Sequence, residues 1–362
     1  MKLSVRRWSM VGVLIMGLVL LTRCIPAPES GNPPIAEGKL SVYFLDVEQG
    51  NCILIVSPTG IAALVDAGTG QEGDGHSDTD PVQFIRTVAG NVADFRLQVI
   101  IATHYDADHI GKLDDVLDAT PALVADDYRL YTRQGGWVKP TPPCDAYWHI
   151  QAVSSEHHVT LAPGGNPIDL GGGVGLSCYA AGGAYWNGAR VQSASLSPTD
   201  ENGRSVALVL TYRQVKMWFA GDLGRTVEEA LAPHLPDVDV YAVDHHGSNG
   251  SSSLGFLQTL KPEYAICQSG DDNTYGHPNK EAVNRILSVS TTDGGHPKFI
   301  QQNHAKSGDP RSDDGLAFAI ADPDGIGSLP GTITVTTDGQ TDLAIQTSTN
   351  AWATELERFA QQ

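Results

Sequence analysis

Four apolar runs in this chain each stop on a carboxylate or an imidazole. They are "IAALVDAG" at Asp66, "LQVIIATH" at His104, "KMWFAGD" at Asp222 and "VYAVDHH" at His245 and His246. Each is short and apolar, the pattern of a buried strand, and segments with helical spacing such as "GKLDDVLDA" and "RTVEEALAPHL" are interleaved with them. In a layered α/β fold the ends of such strands share one rim, and that rim forms a cleft. The chain is therefore expected to gather polar groups from distant positions into one place.

The densest group is "IATHYDADHIGKL", with His104, Asp106, Asp108 and His109 inside six residues. A strand running into a tight loop can aim such side chains at a common centre, and imidazole nitrogen with carboxylate oxygen suits a hard or borderline cation. Aspartates this close repel one another unless a cation lies among them. The competing reading makes Asp106 or Asp108 the cap of the following helix, with the histidines incidental; capping accounts for only one of the carboxylates. Asp222 is either a metal bridge or a turn residue. Side chains of adjacent residues at a strand end point opposite ways, so of His245 and His246 one is expected to ligate while the other contacts substrate or orients the first. Ser251 to Ser253 fit the cap of the helix "LGFLQTL", whose free N–H groups would suit an anion. His277, in "NTYGHP", stands in a loop ahead of another helix.

The 362-residue chain carries a formal charge of −19. Its surface should repel nucleic acid and anionic lipid unless a basic patch or bound cations reverse the field locally. Residues 1–24 place Lys2, Arg6 and Arg7 before an apolar run, the layout of an export signal, and "LLTRC" resembles a lipoprotein cleavage box ending at Cys24, with an atypical Arg23. Lipid anchoring, cleaved secretion and an uncleaved anchor all fit, and each puts the protein outside the cytoplasm. Any membrane contact is expected through that anchor alone, and no protein partner is predicted. A Pro-rich tether spans 25–38. One domain follows over 39–345, with a Gly- and aromatic-rich excursion at 125–202 carrying a few strands, and then a C-terminal helix over 346–362. Cys144 and Cys178, in Gly/Pro-rich stretches, are the candidate disulfide pair; Cys52 and Cys267, in strand-like runs, read as buried thiols.

The order "LVDAG", "THYDADHIG", "FAGD", "DHHGS" and "YGHP" resembles the metallo-β-lactamase-fold hydrolases, and within them the ComEC-type branch, the hydrolase domain of competence proteins. "VYFLDVEQGNCILIVSPTG" and "DENGRSVALVL" are similar to the same branch. The resemblance runs from about Leu40 to Ile320. It implies an α/β fold, a four-layer αββα sandwich in a single domain. It also implies a dinuclear site: His104 and Asp106 on one metal, Asp108, His109 and His246 on the other, and Asp222 bridging them. Asp66 would support the motif loop from behind, with Asp108, His245 and His277 as candidate catalytic groups.

Three departures from the family pattern stand out. Asp106 replaces a histidine of the wider superfamily, an aspartate that ComEC-type proteins share. No histidine stands at the third-strand ligand position, where Asn202, Ser205 or water must fill in. Lys112 and Asn51 replace a frequent glycine and a frequent aspartate. Fewer imidazoles make the first site harder, which favours manganese, with zinc second and magnesium as a third option. The implied activity is hydrolysis of a small-molecule or nucleic-acid phosphoester, phosphodiesterase- or nuclease-like, with a metal-bridged hydroxide as nucleophile. Two alternatives remain: another ester, lactone, amide or cell-wall phosphoester as substrate, or a surface lipoprotein without catalysis.

Overall fold

The computed structural model describes residues 38–68, 79–119, 123–271, 273–304, 309–311, 331–340 and 343–347, with a few more between 315 and 321. The candidate signal with Cys24, the tether up to residue 37 and residues 348–362 lie outside the described residues.

The first half supplies β1 (Leu40–Phe44), β2 (Cys52–Val56), β3 (Ile61–Ala67), α1 (Pro81–Ala89), β4 (Arg96–Ile101), α2 (Ala107–Ile110), α3 (Leu113–Asp118), β5 (Val124–Thr132), α4 (Asp145–Ala152) and β6 (His158–Thr160). After these come β7 (Ile168–Asp169), β8 (Val174–Ala181), β9 (Ala184–Trp186), β10 (Val191–Ser193), β11 (Ala207–Tyr212), β12 (Val215–Phe219), α5 (Arg225–Leu231), β13 (Val240–Ala242), α6 (Leu254–Leu260), β14 (Tyr264–Cys267), α7 (Lys280–Ser288) and β15 (Lys298–Gln301). β16 (Ala319–Ile320), β17 (Ile333–Thr337) and β18 (Leu343–Thr347) close the described chain.

Among the described residues, one sheet runs β18-β17-β1-β2-β3-β4-β5-β6 and the other β10-β9-β8-β11-β12-β13-β14-β15-β16. Both are built alike. Antiparallel strands lead, and parallel pairing begins at β3 with β4 and at β12 with β13. Parallel neighbours need a crossover, and the helices supply it.

Alternation along the strands divides the apolar side chains into three cores. Val42, Phe44, Ile53, Leu208, Met217 and Val240 meet between the sheets. Tyr43, Leu54 and Ile100 face outward under Phe84 of α1, Val116 of α3 and Ile150 of α4. Trp218, Tyr241 and Phe299 face outward under Val227 of α5, Phe256 of α6 and Ile286 of α7. Because both faces of each sheet are covered, the central strands read as continuous apolar runs, and the four layers are helix, sheet, sheet, helix.

Three expectations need correction. Segment 125–202 is no excursion: β5 and β6 extend the first sheet, and β8 sits between β9 and β11 in the second. Its glycines serve turns between short strands, and Val174, Leu176, Cys178 and Ala180 are buried at every second position of β8, a period the glycine content masks. Cys144 and Cys178 are free. Cys178 lies between the sheets while Cys144 packs on the outer face of the first, so a whole sheet separates them. Gln346 and Thr347 end β18 rather than opening a helix; the rest of that expected helix lies outside the described residues. Cys52 and Cys267 are buried thiols.

Candidate metal centre

The rim is built from the first sheet upward. Asp66, near the end of β3, is fully buried with φ +60°. Its carboxylate accepts the Thr103 N–H at 2.8 Å, the Thr103 hydroxyl at 2.7 Å and His109 Nδ1–H at 2.8 Å. That last bond leaves His109 Nε2 facing the centre. Gly68 lets the motif loop close, since a Cβ there would stand 1.9 Å from the Asp108 carbonyl oxygen. Asn51 donates its backbone N–H to the same oxygen at 2.9 Å and accepts from Gly68 at 2.9 Å. Its contribution is main chain, so this change from aspartate leaves the loop's backbone bonds intact.

The second sheet contributes from the opposite side. Gly221, with φ +52°, allows the turn after β12 to lie against Thr103; a Cβ would meet the threonine hydroxyl at 2.3 Å. Gly221's carbonyl accepts the His245 N–H at 2.9 Å. His245 and His246 both adopt left-handed backbone, with φ 53° and 52°. Two consecutive non-glycine residues in that region cost of order 1–3 kcal/mol each. The expectation that they point apart fails for this reason: extended backbone would alternate them, whereas the left-handed pair turns both rings toward Asp222.

Asp222 is the hub. Its Oδ1 lies 2.9 Å from His109 Nε2 and 3.3 Å from His246 Nε2. Its Oδ2 lies 3.4 Å from His245 Nε2 and 3.9 Å from His104 Nε2. Asp108 Oδ2 approaches His246 Nε2 at 3.3 Å, and Asp106 Oδ2 approaches His104 Nε2 at 3.4 Å. Asp108, His109, Asp222 and His246 each present one donor atom, all within 4.8 Å of one another. His104 Nε2 and Asp222 Oδ1 are buried without a hydrogen-bond partner. Two donors sharing an ion at about 2.0–2.2 Å stand roughly 3 to 4 Å apart, so the spacing and the orphaned atoms fit divalent cations.

The capping alternative fails on geometry. Asp106 precedes α2 with extended backbone, yet its carboxylate makes no cap bond. It turns instead toward His104 and the ammonium of Lys139. Lys139, from the segment read as an excursion, is a group that sequence reasoning missed. A second is Glu201, whose carboxylate accepts Arg133 at 2.6 Å and the Tyr105 N–H at 3.1 Å, tying the turn at 201–205 to the motif loop. Asn202 donates its amide to Asp222 Oδ2 at 3.1 Å and stands 3.1 Å from His245 Nε2. Ser205 Oγ is buried and unpartnered. The helix start at Ser251 to Ser253 is taken from within: the Ser252 and Ser253 N–H groups donate to Glu228 at 2.7 Å each. That anion is a side chain of α5, so the start of α6 is not open to a ligand as expected.

The charges balance through protons. Burial raises the Asp222 pKa, but the facing imidazoles of His245, His109 and His246 outweigh it and hold the carboxylate well below its usual range. Burial is likewise outweighed at Asp108, held low by His246 and His109. Against the burial that lowers it, His109 is held well above the usual imidazole range by Asp222 and Asp66. His246 is raised in the same way, against its burial, by Asp222 and Asp108. His245 is shifted down, burial outweighing the attraction of Asp222. Burial, then the charges of His246 and His245, pushes His277 down to about 3.

A cleft of about 400 Å³ opens over this centre. Asp108, His245 and His277 line it, with Lys139, Asn202 and Tyr275. His277 stacks between Tyr275 and His246, at ring distances of 5.7 and 6.2 Å. Trp137, Trp148 and Trp186, the tryptophans of segment 125–202, are not among the residues lining it. Trp137 donates to the Thr141 carbonyl at 2.6 Å, and Trp148 is 60% exposed on α4.

Residues 45–138 match the family described as the metallo-beta-lactamase superfamily. Competence protein ComA of Neisseria gonorrhoeae is 38% identical over 90 residues, covering 24% of this chain and 13% of that protein. Recombination protein 2 of Haemophilus influenzae is 23% identical over 297 residues, covering 79% of this chain and 30% of that protein. The chain thus spans less than a third of either relative's length. Among solved structures, the metallo-beta-lactamase fold protein YhfI of Bacillus subtilis is similar with a TM-score of 0.44 and 11% identity, over 74% of this chain and 97% of that one. The matched family segment and the two helix-covered sheets agree on the fold: the chain has the layered architecture of the metallo-β-lactamase fold, and it is similar in sequence to competence proteins of the ComEC type.

Proposed function

We propose that this protein is a metal-dependent phosphoester hydrolase, phosphodiesterase- or nuclease-like, with a dinuclear centre. One observation carries the reading: the two oxygens of Asp222 face separate groups of imidazole and carboxylate donors, as a carboxylate shared by two ions must. Bound there, a pair of divalent cations supplies Lewis acidity toward phosphoryl oxygens and brings the pKa of water near neutrality.

The chain's own residues do the remaining work. Asp66 fixes the His109 ring, and the Gln268 carbonyl, 2.8 Å from His246 Nδ1, fixes the His246 ring. Lys139 offers a cationic group to a phosphate in the cleft, which an acidic surface otherwise discourages. His277, kept neutral, serves as a hydrogen-bond partner for the phosphate or the leaving oxygen and is a poor source of an imidazolium proton. Tyr275, 53% exposed, offers an aromatic face at the mouth of the cleft. A small phosphodiester or a single nucleic-acid strand suits this arrangement, and the charge of −19 predicts strong salt dependence for the latter. We place the activity outside the cytoplasm, on the export pattern of residues 1–24.

The test is metal analysis of the purified protein, joined to turnover with Mn²⁺ on bis-p-nitrophenyl phosphate, linear DNA and a β-lactam. Diester hydrolysis that disappears in Asp222→Ala supports the reading. Hydrolysis of the β-lactam alone moves the substrate class, and a protein that takes up no metal overturns the reading.

A further inference from the structure

We infer that His245 is a metal ligand that stands in for the histidine absent from the third-strand position, so that each ion receives two imidazoles, one carboxylate of its own and a share of Asp222. The inference deepens the dinuclear reading above and rests on it.

The sequence leaves the first site one imidazole short, and Asn202, Ser205 or water is the expected substitute. Around Asp222 Oδ2 the nitrogens of His104 and His245 stand at 3.9 and 3.4 Å. Around Oδ1 those of His109 and His246 stand at 2.9 and 3.3 Å. Asp106 completes the first group beside His104, as Asp108 completes the second beside His246. The two halves are therefore matched in donor type. The backbone argues for the same role. A substrate-contacting residue beside a ligand would alternate with it in extended chain, whereas His245 is held in the left-handed region at φ 53°, next to a second residue held the same way. The turn brings a second ring onto one carboxylate, and its hydrogen bond from His245 N–H to the Gly221 carbonyl fastens it to the residue preceding Asp222.

The other candidates fit less well. Asn202 turns its amide nitrogen, a donor, toward both Asp222 and His245, which makes it a positioning residue for that pair. Ser205 Oγ is buried and makes no hydrogen bond to any member of the donor set. An imidazole in that place also alters the metal expectation: the first site is no harder than the second, and the preference for manganese over zinc weakens.

The experiment counts metal in full-length protein dialysed against Mn²⁺ and then against Zn²⁺, by elemental analysis and calorimetry. Wild type is expected to hold two ions, His245→Ala one, and Asn202→Ala and Ser205→Ala two each. X-ray absorption on two-ion zinc-loaded wild type keeps the idea testable if His245→Ala fails to fold: an average of two imidazoles per ion is expected. Two ions retained by a folded His245→Ala at unchanged affinity, one ion lost from Asn202→Ala or Ser205→Ala, or three imidazoles in total by X-ray absorption would overturn the assignment and leave the dinuclear reading standing. Wild type without metal overturns both.

Discussion

The two sides of Asp222 differ in how firmly their imidazoles are held. On the Oδ1 side Asp108 is 31% exposed, but both imidazoles, His109 and His246, have side chains at most 1% exposed, and each Nδ1 is tied, to Asp66 and to the Gln268 carbonyl. On the Oδ2 side His104 is buried, but Asp106 is 13% exposed, His245 26% and Lys139 34%. Closed donors with bonds behind them are preorganised and bind an ion with little reordering. Open donors can exchange partners, and they face the cleft where a substrate arrives. On the dinuclear reading proposed above, the difference teaches that two sites with matched donors need not behave alike, because burial and the bonds behind the imidazoles separate them.

The largest expected effect removes the distinction altogether. Asp222→Ala should cost both sides their ion and lower turnover by about a thousandfold or more, a loss of several kcal/mol of transition-state stabilisation. Retention of one tightly bound ion would show the sides to be independent of the shared carboxylate. Asp66→Asn acts on the closed side through His109, and metal affinity there should fall by about 10- to 100-fold while the open side keeps its own. Calorimetric titration resolves the two; an equal fall on both sides would break the comparison.

Lys139→Ala belongs to the open side. Its ammonium competes with a cation for Asp106, so its loss should tighten metal there while raising KM for a diester about tenfold, or ~1.4 kcal/mol, with kcat nearly unchanged. A fall in kcat at constant KM would assign the lysine to the chemical step instead. The smallest effect concerns protons. His109 and His246 have raised pKa values, so they hold protons in the metal-free protein and must release them when an ion binds. Affinity on the closed side should weaken as pH falls through those raised values. His245 is shifted down and has no proton to give near neutrality. Binding heats measured in buffers of different ionisation enthalpy should therefore report proton release from the closed side and little from the open one.

Several of these features were readable in the residues alone. Apolar runs ending at Asp66, His104, Asp222 and His246 are real strand ends on one rim, because a strand covered on both faces must be apolar and can carry polar groups only where it leaves the sheet. Five motifs in order also sufficed for the fold. Lys139 was hidden inside a glycine-rich segment that looked loose, since turns and short strands share that composition. Glu228 beneath Ser252 and Ser253 was hidden because an internal carboxylate capping another helix leaves no local spacing to find.

What the sequence determined by itself was which carboxylates and imidazoles gather at the rim and the layered architecture, both consequences of which residues tolerate burial and which do not. What only the tertiary structure decided was direction. Residue type cannot say that two consecutive histidines take left-handed backbone and turn to one carboxylate, or that Asn51 acts through its main chain. Nor can it say that Cys144 and Cys178 are kept apart by a sheet. Those outcomes depend on the packing of one sheet's loops against the other's, a balance of long-range contacts that no local stretch encodes.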